Sequence, residues 1–192
     1  MRDLIESLQN WYTIHCDGDW EHDYGYEIGT LDNPGFYVRI DLADTALWEL
    51  DIERSFQHPQ DEQDWFQIKV EDQSLLCACG PPNLSRVLTM FFEDILPTYA
   101  DKTYAYEVYL PLIGHETEIW APVTAILINE KTLRITEIKP VRYSGIKVRD
   151  LDDIHFDQAD LDKLTVSYAV GDQVEVELIN VFDGVMLSAK AL

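Results

Sequence analysis

The stretch "PPNLSRVLTMFFEDILP", residues 81–97, decides the fold class. Leu84, Val87, Leu88, Phe91, Phe92, Ile95 and Leu96 recur at i, i+3 and i+4, which lays one apolar stripe along a helix. Pro81-Pro82-Asn83 supplies the start, and Pro97 is expected to close it. Such a stripe needs an apolar surface to cover, and the preceding residues provide one. Phe36, Val38, Ile40 and Leu42 alternate with polar neighbours, as strands do. Trp48, Leu50 and Ile52 alternate with Glu49, Asp51 and Glu53, and Phe66, Ile68 and Val70 repeat the pattern. Tyr26-Glu27-Ile28 and residues 75–79 add two short strands, and Asn33-Pro34-Gly35 makes a turn. A second helix over 3–15 carries Leu4, Ile5, Leu8, Trp11 and Tyr12 on one side and ends at Asp17-Gly18-Asp19. Two amphipathic helices and one meander predict an α+β fold, an antiparallel sheet whose apolar face both helices cover.

Beyond residue 100 the helical signal fades. Tyr106, Val108 and Leu110 alternate, 119–128 is a nearly continuous apolar run, and Leu133, Ile135 and Ile138 follow. Val174, Val176 and Leu178 alternate after Gly171-Asp172. Asp183-Gly184 reads as a hairpin turn before Val185, Leu187 and Ala189. Residues 150–163 form an acidic insert with room for one helical turn. The expected organisation is an α+β domain over 1–100 and a mostly-β, barrel-like domain over 103–192.

The chain has 192 residues, 46% of them hydrophobic, with five Trp and ten Tyr, enough for a packed core. Its formal charge is −22, from 36 acids against 14 bases. Residues 1–100 hold 20 acids and 5 bases, net −15, and the remainder is −7. That sign repels phosphate backbones and anionic lipid headgroups and attracts basic proteins, so neither direct nucleic-acid nor membrane binding is expected. No apolar run is long enough to span a bilayer. Met1-Arg2-Asp3-Leu4-Ile5-Glu6 carries acids where a secretion signal needs an apolar core. Three cysteines, Cys16, Cys77 and Cys79, suit a reducing compartment, so a cytoplasmic protein is expected.

The stretch "CDGDWEHDYG", residues 16–25, concentrates reactive side chains. His15, Cys16, Asp17, Asp19 and His22 are potential ligands, but no C-x-x-C pair, H-E-x-x-H or EF-hand spacing surrounds them. Cys77-x-Cys79 lacks a second half. No nucleophile elbow, Walker A or dinucleotide motif is present. Neither an enzyme, a metal site nor a cofactor is expected. A structural turn accounts for Cys16, Gly18, Trp20 and Gly25. It leaves Asp17, Asp19, Glu21 and Asp23 in excess of what a turn needs. The strand pattern sets a second acidic surface: with Phe36, Val38, Ile40, Trp48, Leu50 and Ile52 facing the helices, Asp41, Glu49, Asp51 and Glu53 share the opposite face with Tyr37 and Trp65. Acids mixed with exposed aromatics suit a protein partner.

The order of residues adds a resemblance. Trp11-Tyr12, Cys16-Asp17-Gly18-Asp19-Trp20-Glu21-His22, Tyr24-Gly25, Thr30-Leu31-Asp32-Asn33-Pro34-Gly35 and Asp41-Leu42 resemble the pattern of the bacterial immunity protein 53 (Imm53) family. Phe36 stands where that family usually has Trp. "VEDQSLLCACGPPNLSRVLTMF", 70–91, is similar to the family's closing strand, G-P-x-N-L turn and last helix. The resemblance covers residues 1–98 and leaves 103–192 unassigned. It implies an intracellular protein, without catalysis of its own, that neutralises a cognate polymorphic toxin. Many such toxins are nucleases, whose basic surfaces an acidic inhibitor suits. The candidate contacts are Asp17, Asp19, Glu21, His22 and Asp23 in the loop, with Glu49, Asp51, Glu53 and Trp65 on the sheet. The rival reading is an acidic adaptor or nucleic-acid mimic that binds a basic housekeeping protein.

Overall fold

Two helical segments and five strands come first along the chain. Helix α1 spans Leu4–His15 and helix α2 spans Trp20–Asp23. The strands are β1 Tyr26–Leu31, β2 Gly35–Asp41, β3 Glu53–Gln57, β4 Trp65–Glu71 and β5 Ser74–Cys79. The structure is a computed structural model and describes residues 2–114, 118–142, 145–149, 158–182 and 184–190. Its contacts divide the chain into two compact units, Met1–Tyr12 with Trp20–Lys102, and Thr13–Asp19 with Thr103–Leu192.

In the first unit the strands form an antiparallel sheet in the order β1-β2-β5-β4-β3. Register puts Val38 opposite Cys77 and Cys77 opposite Ile68, so the apolar residues share one face. That face is buried together with Leu8 and Trp11 of α1. The edge of the Trp11 ring meets Phe91 at a centroid distance of 5.2 Å. Ile5, counted in the α1 stripe, is exposed instead.

The helix read from 81–97 forms but does not stop at Pro97. A 3₁₀ turn, Pro81–Asn83, leads into α3, Leu84–Met90; a π-helical turn, Phe91–Ile95, and α4, Leu96–Tyr99, continue it without a break. Proline has no N–H to donate, and its ring crowds the carbonyl four residues back. The wide turn, in which the Leu96 N–H reaches the Phe91 carbonyl, moves the ladder off that register and accommodates it. The turn before the helix is fixed just as locally. A Cβ on Gly80 would lie 1.8 Å from the Gln63 carbonyl oxygen, and the buried Asn83 amide donates to Asp64 Oδ1 at 2.9 Å and the Trp65 carbonyl at 3.2 Å. This is the physical content of the G-P-x-N-L block.

One expected strand is absent. Residues 44–50 form consecutive turns, with the Trp48 N–H bonded to the Thr45 carbonyl and the Leu50 N–H to the Leu47 carbonyl. Thr45 Oγ1 donates to the Leu42 carbonyl and accepts the Leu47 N–H, which favours the turns over a ladder. Ala43, Ala46, Leu47 and Leu50 are buried, a three-and-four spacing that replaces the alternation of Trp48, Leu50 and Ile52.

The second unit is a β-barrel. Its strands are β6 Ala105–Ile113, β7 Ile119–Asn129, β8 Thr132–Glu137, β9 Lys147–Val148, β10 Thr165–Val166, β11 Gln173–Val181 and β12 Gly184–Ala189, with helix α5 at Gln158–Leu161. The order β6-β12-β11-β8-β7 closes through a β6–β7 pairing. Closure removes sheet edges. Two bulges in the β7–β8 ladder supply the curvature. Val108, Leu110, Ala125, Leu133, Ile135 and Val174 point inward. Leu161 and Leu164 join Leu112, Ile119, Ala121 and Val148 in a further apolar cluster, which gives the short α5 segment its packing. Residues 150–157 of the acidic insert and Asp183 of the hairpin turn lie outside the described residues.

Candidate partner-binding surface

The acidic loop divides into a turn and a helical segment. Gly18 takes φ +103°, which an L side chain resists, and Asp17 Oδ1 accepts the Asp19 N–H at 3.0 Å. Trp20 then opens α2, buried, with its indole N–H on the Ala43 carbonyl at 2.9 Å. Cys16 is buried too. Around these fixed residues Asp17, Asp19, His22 and Asp23 are exposed and Glu21 is half-buried. Asp17 and Asp19 belong to the second unit, and Glu21 and Asp23, which follow the anchored Trp20, to the first.

The acidic sheet face does not assemble as expected. Asp41 is buried, with Oδ2 accepting the Gly25 N–H at 3.0 Å and Oδ1 the Ser74 hydroxyl at 2.8 Å. Arg39 pairs with it at 2.8 Å. It ties β2 to β5 and to the residue before β1, and it is structural. Glu49 and Asp51 lie outside any strand, because the segment that carries them turns. Of the candidate contacts, Glu53 and Trp65 share the open face, as the register pairs Glu53 with Lys69 and Gln57 with Trp65. Trp65 is half-buried there. Tyr37, also on this face, donates its hydroxyl to Glu27, which raises the phenol above its ordinary range. Lys69 is bonded to Glu71. Arg39 and Lys69 among the glutamates make this face mixed in sign.

Turning brings Glu49 and Asp51 to a different place. They line an open pocket of 280 Å³ with Trp48, Tyr99 and Asp101, over a floor of Ala46 and Leu50. Trp48 is 43% exposed and Tyr99 45% exposed. The Asp101 N–H bonds to the Ala46 carbonyl at 2.7 Å, which joins the residue after α4 to the turning segment. No basic side chain lines the pocket. Close by, Arg54 donates to Asp94 and sits 6.0 Å from the centre of the Tyr99 ring; the Asp94 bond raises its pKa further. Trp48, Tyr99 and Asp101 escaped the sequence reading. The signal for Trp48 was the 43, 46, 47, 50 spacing, which leaves residue 48 outward. The signal for Tyr99 was masked by taking Pro97 as a stop.

The second unit has a larger cleft of 440 Å³, bordered by Pro122, Val123, Lys139, Val141 and Arg142. Its cations set it apart from the acidic surfaces. Among the described residues no group of three or more His, Cys, Asp or Glu is placed to hold a metal ion, and no helix is long and apolar enough to cross a membrane.

The fold defines a class: an α+β unit with exposed carboxylates, followed by a β-barrel. Residues 5–95 match the family model described as Immunity protein 53, so this segment of the chain is similar to the Imm53 family. No curated protein and no solved structure matches the chain. The match spans the anchored loop, the sheet and most of the long helix, and ends before Tyr99, Asp101 and the barrel.

Proposed function

We propose that this protein is an immunity protein that binds a toxin produced in its own system and blocks it by occlusion, without catalysis. The family match over 5–95 carries the reading. Charge supports the mechanism. The −15 on residues 1–100 complements a toxin with a basic active face, such as a nuclease, and steers association. The candidate contacts are Asp17, Asp19, Glu21, His22 and Asp23 along the loop, Glu49 and Asp51 at the pocket, and Glu53 and Trp65 on the sheet face. The protein acts inside the cell that makes it, before the toxin reaches its target.

Co-expression with the product of the adjacent reading frame tests this. Growth rescue together with a 1:1 complex is the expected result. A toxic, expressed neighbour that is neither neutralised nor co-purified overturns it. Capture of several unrelated basic proteins, all released at moderate salt, would favour the acidic adaptor instead.

A further inference from the structure

We infer that the pocket formed by Trp48, Glu49, Asp51, Tyr99 and Asp101 receives an arginine side chain of the protein partner. The identification of that partner as a toxin rests on the functional reading above; the chemistry of the pocket does not.

Carboxylates alone fit any cation, a hydrated metal ion included. Here they share a concave wall with two exposed aromatic rings. Trp48 is turned out of the core by the buried spacing of Ala43, Ala46, Leu47 and Leu50, and Tyr99 stands at the last position of α4. A planar guanidinium stacks on such rings and donates from its edge to carboxylates, whereas an ammonium is a hydrated point charge that uses neither geometry fully. The protein already uses this chemistry beside the pocket, where Arg54 combines the Tyr99 ring with the Asp94 carboxylate. The volume of 280 Å³ suits a side chain and not a folded element. Glu49 and Asp51 make no ion pair among the described residues, and the one guanidinium near the walls, Arg54, reaches Tyr99 while it is committed to Asp94. Exposed Trp and Tyr around a desolvated arginine form the kind of anchor that dominates protein interfaces.

The test uses the full chain and three blocked tripeptides, Gly-Arg-Gly, Gly-Lys-Gly and Gly-citrulline-Gly. Citrulline keeps the shape of arginine and removes its charge. The indole N–H resonances of the five tryptophans are followed by two-dimensional NMR, with Trp48 assigned through Trp48→Phe. The arginine peptide should shift the Trp48 resonance saturably at millimolar concentration. The Glu49→Gln/Asp51→Asn double variant should bind it about fivefold more weakly, with the other indole resonances in place as proof of an intact fold. An unmoved Trp48 resonance, an equal response to citrulline, equal binding of the lysine peptide, or undiminished binding by the double variant overturns the inference. Growth rescue is a separate readout. Peptide binding without rescue would sink the toxin reading and keep the pocket, and rescue without peptide binding would do the reverse.

Discussion

Asp41 and Glu49 look equivalent in the sequence, an acid beside apolar neighbours, and the structure gives them opposite roles that unfolding can separate. Asp41→Ala removes the acceptor of two partners, the Gly25 N–H and the Ser74 hydroxyl. A buried donor left without an acceptor costs about 1–3 kcal/mol, so the loss from two should reach about 2–6 kcal/mol. The Arg39 pair, half exposed on its basic side, adds about 0–1 kcal/mol. Asp41→Asn should cost less, about 1–2 kcal/mol, because an amide oxygen still accepts from Gly25 and its NH₂ meets a hydroxyl that can turn to accept. Glu49→Gln and Asp51→Asn, exposed and in no ion pair among the described residues, should stay within about 0.5 kcal/mol. Urea unfolding followed by tryptophan fluorescence reads the first unit well, since Trp11, Trp20, Trp48 and Trp65 lie in residues 1–100 and only Trp120 beyond. With an m-value of about 1–3 kcal/mol/M, the Asp41→Ala midpoint should fall by about 1 M or more. A midpoint shift for Asp41→Ala no larger than that for Glu49→Gln would refute the assignment of Asp41 to the framework.

Thiol chemistry gives a second check. Cys16, Cys77 and Cys79 are buried thiols in no disulfide among the described residues, and burial, with Cys79 adding to it, pushes the Cys77 thiol up to about 12. The native protein at pH 8 should therefore react with no equivalents of a disulfide reagent on the minute scale, and the urea-unfolded protein with three. In the barrel, hydrogen bonding and attraction from Lys131, with Lys190 beside it, hold the Glu175 carboxyl below the ordinary 4.5. A folded pKa lower than the unfolded one means stabilisation that is present above about 4.5 and lost as pH falls through the folded value. The stability difference between the natural protein and Glu175→Gln, measured by thermal unfolding, should exist at pH 7 and vanish near pH 2. A difference that persists in acid would mean the side chain works by packing.

Where periodicity had a single physical solution, the sequence was sufficient. Phe66, Ile68 and Val70 alternate because one face of β4 is buried, and Leu84 to Leu96 repeat because one side of a helix is. Residues 43–50 had two solutions. Their apolar residues fit alternation when counted from Trp48 and fit a turning segment when counted from Ala43, and Thr45 decides between them through hydrogen bonds that no periodicity reports. Asp41 misled for a related reason: a carboxylate on the polar side of a strand reads as solvated until Ser74 and Gly25 are brought to it from distant sequence. The acids of the loop were legible as a group, because Gly18 and Trp20 account for the fold without them. The pocket was not legible, since its walls come from residues 48–51 and 99–101 and meet only after the long helix has crossed the sheet.

The wide turn at Phe91–Ile95 has a consequence for descent. A π-helical turn is one residue more than the α-helix around it needs, so it enters or leaves a lineage as a single-codon insertion or deletion. Pro97 poses a steric problem that this turn relieves, so the two should be inherited as a pair. Relatives that lack the extra residue are expected to carry another amino acid in place of the proline, and alignments that gap this helix elsewhere will misplace every position from there to Tyr99.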